Sequence, residues 1–313
     1  MRILVTGGCG YKGTVLINNL LKNGHEVTAI DTQWFGNYLK KHKNLKNIKL
    51  DIRNTDQIPV KGHDSIIHLA NIANDPAVEL NPTLSWEINV LAGQQLIEKA
   101  RREEVSQFIF ASSGSVYGVK DEPRVTEDLE LLPISVYNKT KMVAERVFLS
   151  YREYMQIHCI RPATVCGFSP RMRLDVSVNM FAFQALKNRE ITVFGGDQVR
   201  PNVHIKDMVE IYNHFINNPE IKSGCYNAGF ENISIRKIAE MIAEIIPSKI
   251  SITKSNDPRS YRQDSTKLLN TGFQPKYGVK DAIKEISEIY KNGSLPSEDN
   301  CYTVKWMKKL NLK

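Results

Sequence analysis

Residues 6–13 read Thr-Gly-Gly-Cys-Gly-Tyr-Lys-Gly, with glycines at 7, 10 and 13 between an apolar β-branched run (2–6) and the helix-spaced apolar residues of 11–21. A strand that passes into a helix through so short a turn needs positions without Cβ. The turn also points backbone N–H groups, at the positive end of the helix, toward any bound pyrophosphate. Gly7, Gly10 and Gly13, with Tyr11 and Lys12 between them, are therefore candidate dinucleotide ligands. A second β-rich run, 26–30, ends at Asp31, where a carboxylate accepts from ribose hydroxyls and repels a 2′-phosphate. The expected cofactor is NAD rather than NADP. Asp51 and Ile52, after the third strand, suit contact with adenine, although an ordinary strand-ending Asp reads almost as well.

Further apolar runs at 47–50, 65–69, 108–111 and 157–160 alternate with helical stretches, the longest being 84–102 and 136–154. Alternation of this kind predicts a parallel sheet covered on both faces. Beyond about residue 165 the pattern changes to an arginine-rich loop (169–173), a helix (176–188), a short strand (191–194) before Gly-Gly, and helices at 205–216, 235–246 and 281–290. Ser234 is placed to cap the second of these. The last twenty residues are polar, then basic, and are expected to be a mobile end.

Composition excludes several classes. Of the 313 residues, 42% are hydrophobic and 24% charged, near globular averages. No apolar window approaches the ~20 residues of a membrane span, and the first residues lack the apolar core of a signal peptide, so a cytoplasmic protein without membrane association is expected. Five cysteines without a C-x-x-C pair predict neither disulfide nor metal site. The net charge of +8 leaves nucleic acid or small anions open as partners. It is patchy: five lysines between 40 and 49 read as a solvated face, and Lys305, Lys308, Lys309 and Lys313 sit at the chain end. The arginines of the second half favour a small anion, and no nucleic acid is expected.

Tyr137 and Lys141 are four apart in a helical run and so share a helix face. An ammonium beside a phenol favours phenolate. Lowering a tyrosine from ~10 toward 7 takes about 4 kcal/mol, which Lys141 and a nicotinamide cation could jointly supply, leaving Tyr137 a general base.

With these segments in place, the chain resembles the extended short-chain dehydrogenase/reductase family, in particular its nucleotide-sugar epimerases and dehydratases. The matching segments are T-G-G-C-G-Y-K-G (6–13), H-L-A (68–70), A-S-S-G-S-V-Y-G (111–118), Y-N-K-T-K (137–141), R-P-A-T-V-C-G (161–167) and R-P-N-V-H-I-K-D (200–207). The resemblance implies an α/β fold, a Rossmann-type doubly wound parallel sheet with a smaller C-terminal substrate-binding domain. It also implies that Leu69 and Ala70 face the cofactor and that Ser113 bonds the reacting sugar oxygen. Tyr137 would then take the 4-hydroxyl proton, with Lys141 holding Tyr137 and the nicotinamide ribose. His68 and His204 read as structural.

Two departures shape the expected reaction. Gly114-Ser115 stands where family members that eliminate water or CO₂ carry an acidic residue, so oxidation at C4 is favoured over elimination. Thr164 replaces the family's usual substrate-contacting Asn. For the sugar's diphosphate, Arg200, Arg259 and Arg262 are the expected partners, since guanidinium forks match phosphate oxygens, and Asn179 is a further expected ligand. Arg171 and Arg173 are balanced between sugar or base contact and a solvated or interface role. The resemblance points to surface-polysaccharide synthesis and C4 oxidation of a GDP-heptose, with UDP-hexose 4-epimerisation as the alternative. Domain limits of 1–165 plus 202–229 and 166–201 plus 230–313 are expected, with a homodimer built on the two long helices.

Overall fold

The computed structural model describes residues 1–254 and 260–311. Twelve strands alternate with eleven helices among them: β1 (Arg2–Thr6), α1 (Tyr11–Lys22), β2 (Glu26–Asp31), β3 (Leu45–Lys49), β4 (Ser65–His68), α2 (Asp75–Val78), α3 (Pro82–Trp86), α4 (Ala92–Arg102), β5 (Gln107–Ala111), α5 (Val136–Leu149), β6 (Gln156–Pro162) and β7 (Thr164–Cys166). The remainder are α6 (Ser177–Asn188), β8 (Glu190–Phe194), β9 (Val199–His204), α7 (Ile205–Asn217), β10 (Gly224–Ala228), β11 (Glu231–Ser234), α8 (Ile235–Ile245), β12 (Lys249–Thr253), α9 (Thr266–Leu269), α10 (Val279–Lys291) and α11 (Thr303–Leu310).

Seven strands form one sheet in the order β10-β6-β5-β4-β1-β2-β3, every pair parallel. Both faces are covered. Ile3, Leu4 and Val5 of β1 are fully buried, and so are Ile66 and Ile67 of β4, which is why these runs are continuously apolar instead of alternating. The order reverses between β1 and β4, and in such sheets the crevice beyond the carboxyl ends of those two strands receives the ligand. β7, β9 and β11 form a separate three-stranded sheet, β8 pairs with β12, and α6, α8 and α10 close a second core around Phe181, Ile238 and Ile283.

Three sequence expectations change. The single helix expected over 84–102 is α3, a π-helical turn at Glu87–Leu91, and α4. The wide turn aims buried Asn89 inward, where its Oδ1 accepts from Ile72 N–H and its amide donates to Ile72 O and Thr140 Oγ1. The helix expected over 136–154 stops at Leu149, because Tyr151–Tyr154 closes into a turn before β6. The expected mobile end is folded: Asp299–Cys301 makes a 3₁₀ turn and α11 follows. Met307 is buried in the core with Trp34, Phe35 and Val304 packed around it, and Trp306 Nε1 donates to Trp34 O at 2.6 Å. Basic composition hid this because the lysines lie on the outward face, Lys305 and Lys309 pairing with Asp299.

A buried ionic network sits behind β5. Glu145 of α5 takes a bidentate contact from Arg161 of β6 at 2.8 and 2.9 Å and accepts from Ser112 Oγ at 2.5 Å. Arg161 also donates to Tyr117 Oη, which donates to Asn227. Both members of the pair are at most 5% exposed. Arg161→Met would leave a buried carboxylate without its partner and should cost about 3–5 kcal/mol, read as a fall in urea midpoint; an unchanged midpoint would remove the network from the account.

Two histidines tie stability to pH. Burial, with the charge of Lys141 as a smaller cause, holds His68 down to about 3, while burial holds His158 at about 4 against a hydrogen bond to Ile221 O. Each is neutral when folded but binds a proton near 6.5 once unfolded. Their contribution is present above pH 6.5 and is lost as pH falls toward 4. Unfolding free energy should drop by roughly 4 kcal/mol between pH 7.5 and 5, measured by urea titration; equal stability at the two pH values would contradict this.

Candidate active site

A cavity of about 770 Å³ opens over the carboxyl ends of β1 and β4. Its floor is the glycine loop. Gly7 has φ +72°, and a Cβ there would lie 2.6 Å from Ala70 N; a Cβ on Gly13 would lie 2.3 Å from Gly7 O. The missing side chains therefore let α1 start directly on the loop and let the loop touch the segment after β4. Gly7, Gly10, Tyr11, Lys12, Gly13, Asp31, Asp51, Ile52, Leu69 and Ala70 all line the cavity.

The carboxylate of Asp31 is fixed by two backbone donors, Cys9 N–H at 3.0 Å and Gln33 N–H at 2.6 Å. Burial raises its pKa against those bonds. Asp51 is held by Arg53 at 2.9 Å. Burial, followed by the charge of Arg173, lowers Lys12 to about 8. Tyr11 turns away from solvent and donates to Gly167 O at 2.7 Å. A backbone cradle that a Cβ would fill, with a fixed carboxylate at the end of β2, fits a dinucleotide.

The reacting end lies at the start of α5. Ser135 caps that helix by accepting from Asn138 N–H, and its hydroxyl donates to Asp75. Tyr137, Ser113 and Ser115 line the cavity together. Ser113 Oγ lies 2.7 Å from Ser115 Oγ, and Ser113 is close enough to Tyr137 to lower its pKa. Lys141, one turn below Tyr137, donates to Ala111 O at 2.6 Å and lies 5.8 Å from the centre of the Tyr137 ring. Burial pushes Tyr137 up to about 12, opposed by Ser113 and reinforced by the charge of Asp75. Burial, then the charge of Lys12, drives Lys141 well below the usual lysine range. Without further positive charge in the cavity Tyr137 keeps its proton; the expected lowering calls for a nicotinamide cation as well as Lys141.

The other expected ligands separate. Arg200 lines the cavity beside Thr164 and Tyr261, whereas Arg262 is exposed and contributes its carbonyl to Val125 N–H. Arg259 lies outside the described residues. Asn179 lies behind the wall. It accepts from Gly167 N–H at 3.0 Å and donates to Tyr11 Oη and Arg173 O. Arg171 and Arg173 line the cavity instead, as do Trp34, Phe35, Asp75 and the tail residues Tyr302, Thr303, Val304, Lys305 and Met307. The tail residues carried no motif. For Arg171 and Arg173 the sequence leaves sugar or base contact and a solvated or interface role in balance. Among the described residues no group of His, Cys, Asp or Glu could hold a metal, and no helix is long and apolar enough to cross a membrane.

Comparison with known proteins agrees with this geometry. Residues 3–229 match the family model described as the NAD dependent epimerase/dehydratase family. The uncharacterized UDP-glucose epimerase YtcB of Bacillus subtilis (strain 168) is 30% identical, over 90% of this chain and 96% of its own length. The UDP-glucose 4-epimerase of Thermus thermophilus, solved with NAD, superposes with a TM-score of 0.81 at 26% identity, covering 93% of this chain and 99% of that one. The UDP-glucuronic acid 4-epimerase of Bacillus cereus, solved with UDP-glucuronic acid and NAD, gives 0.80 at 26% identity and the same coverage. A glycine cradle that admits a dinucleotide, a fixed carboxylate at the end of β2 and a family match over most of the chain lead to one assignment: the chain belongs to the NAD dependent epimerase/dehydratase family.

Proposed function

We propose that the protein oxidises the C4 hydroxyl of a nucleotide-diphosphate sugar. The observation that carries the reading is the meeting of Ser113 and Tyr137 at one end of the cavity whose other end is the glycine loop, with Lys141 buried one turn below Tyr137 and outside the lining. NAD, when bound, supplies the hydride acceptor and one positive charge to the cavity. Ser113 Oγ orients the reacting hydroxyl through a hydrogen bond, and Tyr137 Oη receives its proton. Lys141, fixed by Ala111 O one turn below Tyr137, would favour the phenolate in its ammonium form. Arg200 serves the sugar's diphosphate.

Gly114 and Ser115 bring no carboxylate next to Ser113, which supports oxidation, with or without return of the hydride, over elimination. Asp75 does enter the cavity, but it is held by Ser135 at the cap of α5. Two outcomes follow from the same first step. GDP-D-glycero-D-manno-heptose 4-dehydrogenation in surface-polysaccharide synthesis is the reading drawn from the sequence; 4-epimerisation of a UDP-hexose is supported by the names of the similar proteins. The reading keeps a cytoplasmic homodimer in which α4 and α5 of two copies pack together.

Incubation with a panel of GDP-, UDP-, CDP- and dTDP-sugars, followed by NMR and mass analysis, should yield a 4-keto sugar or a 4-epimer. Tyr137→Phe should lower kcat by about 10²–10⁴ while leaving bound NAD unchanged. Turnover of that variant at the parental rate would rule Tyr137 out as the base.

A further inference from the structure

Between β7 and α6, Arg171 and Arg173 enter the cavity from an element outside the seven-stranded sheet. Arg171 is 5% exposed, with its guanidinium 4.2 Å over the ring of Phe35, in the segment that follows β2 and Asp31. Its hydrogen bond to the neighbouring Met172 O is long, at 3.5 Å, and its Nε has no partner among the described residues. Arg173 contacts Asp175 at 2.8 Å. Its backbone carbonyl accepts from the same Asn179 amide that reaches Tyr11 Oη, which ties Arg173 to the start of α1. Lys12 lines the same region. Three cations therefore meet two carboxylates here, and both carboxylates already have partners: Asp31 takes two backbone N–H groups, and Asp175 takes Arg173 and Thr303 N–H. A buried guanidinium without a counter-ion is costly and calls for an anion in the cavity.

We propose that Arg171 and Arg173 clamp the pyrophosphate of NAD, and that the C-terminal segment Asn300–Met307 holds the clamp closed. The position argues for the cofactor rather than the sugar nucleotide. Arg171 stands over Phe35, four residues after Asp31, and Arg173 is tied through Asn179 to Tyr11, the residue that opens α1. Arg200, on β9, lines the cavity with Thr164 and Tyr261. The tail staples the two sides together. Cys301 O accepts from Leu174 N–H at 2.9 Å, and Thr303 N–H donates to Asp175 at 2.9 Å, fixing the arginine loop. Asn300 donates to Phe35 O and Tyr38 Oη, and Trp306 Nε1 to Trp34 O, fixing the segment after β2. Release of the dinucleotide then requires the tail to lift. The inference rests on NAD as the cofactor and is independent of which sugar reacts.

The test uses full-length protein stripped of nucleotide, with NAD, UDP and GDP as separate calorimetric probes. Arg171→Met and Arg173→Met should each raise the Kd for NAD about tenfold to a hundredfold and leave the Kd of UDP and GDP within twofold. Arg173→Met combined with Asp175→Asn removes the ion pair as a unit and should show the same loss. Asn300→Ala combined with Trp306→Phe removes the tail's bonds to the segment after β2 and should speed NAD release at least tenfold in a stopped-flow chase, and an unchanged release rate overturns the role of the tail. Unchanged NAD affinity in natively folded variants overturns the clamp, as does a loss that falls on UDP and GDP instead. Parental protein that binds no NAD would overturn the cofactor assignment itself.

Discussion

The close approach of the glycine loop to the end of β4 is the constraint on which the site depends. A side chain at residue 7 would collide with Ala70, and one at residue 13 would collide with the carbonyl of Gly7. With neither present, the first turn of α1 rests on the loop, and its backbone N–H groups face the crevice where the sheet order reverses. Everything else in the cavity is placed relative to that floor: Asp31 by the strand beside β1, the reacting residues by β5 and α5, and the arginine wall by β7.

The catalytic end is held in a state of electrostatic tension. Burial raises the pKa of Tyr137 and lowers that of Lys141, so each resists the charged form that proton transfer needs. The chain resolves part of this with fixed partners, Ser113 for the phenol and Ala111 O for the ammonium. Positive charge arriving with NAD would favour the phenolate and oppose the ammonium, so in the proposed reaction proton transfer to Tyr137 depends on a loaded cavity. Glu145 and Arg161, behind β5, lock the strand that presents Ser112 and Ser113 without entering the cavity themselves.

Local pattern made much of this legible in the sequence, and pattern is also where legibility ended. Glycine spacing and alternating strands and helices are short-range features, and they located the loop, Asp31, the Tyr137–Lys141 pair and the strands of the main sheet other than the edge strand β10. The break at Glu87–Leu91 was hidden because it is driven by Asn89 reaching Ile72 and Thr140, partners 17 and 51 residues away. The tail was hidden for the same reason: its hold on Trp34 and Phe35 spans about 265 residues or more. Asn179 read as a ligand from its place in the helix after the arginine loop, yet the fold turns it to bind Tyr11, Gly167 and Arg173.

The central claim is that hydride leaves and, in epimerisation, returns at C4 of the sugar without exchange with water. The direct measurement is turnover of a nucleotide sugar deuterated at C4, with the label followed by NMR and mass spectrometry. The account predicts deuterium on the bound dinucleotide or back at C4 of the product, and none in solvent. Label released to water would show proton abstraction at carbon and would contradict hydride transfer by this site.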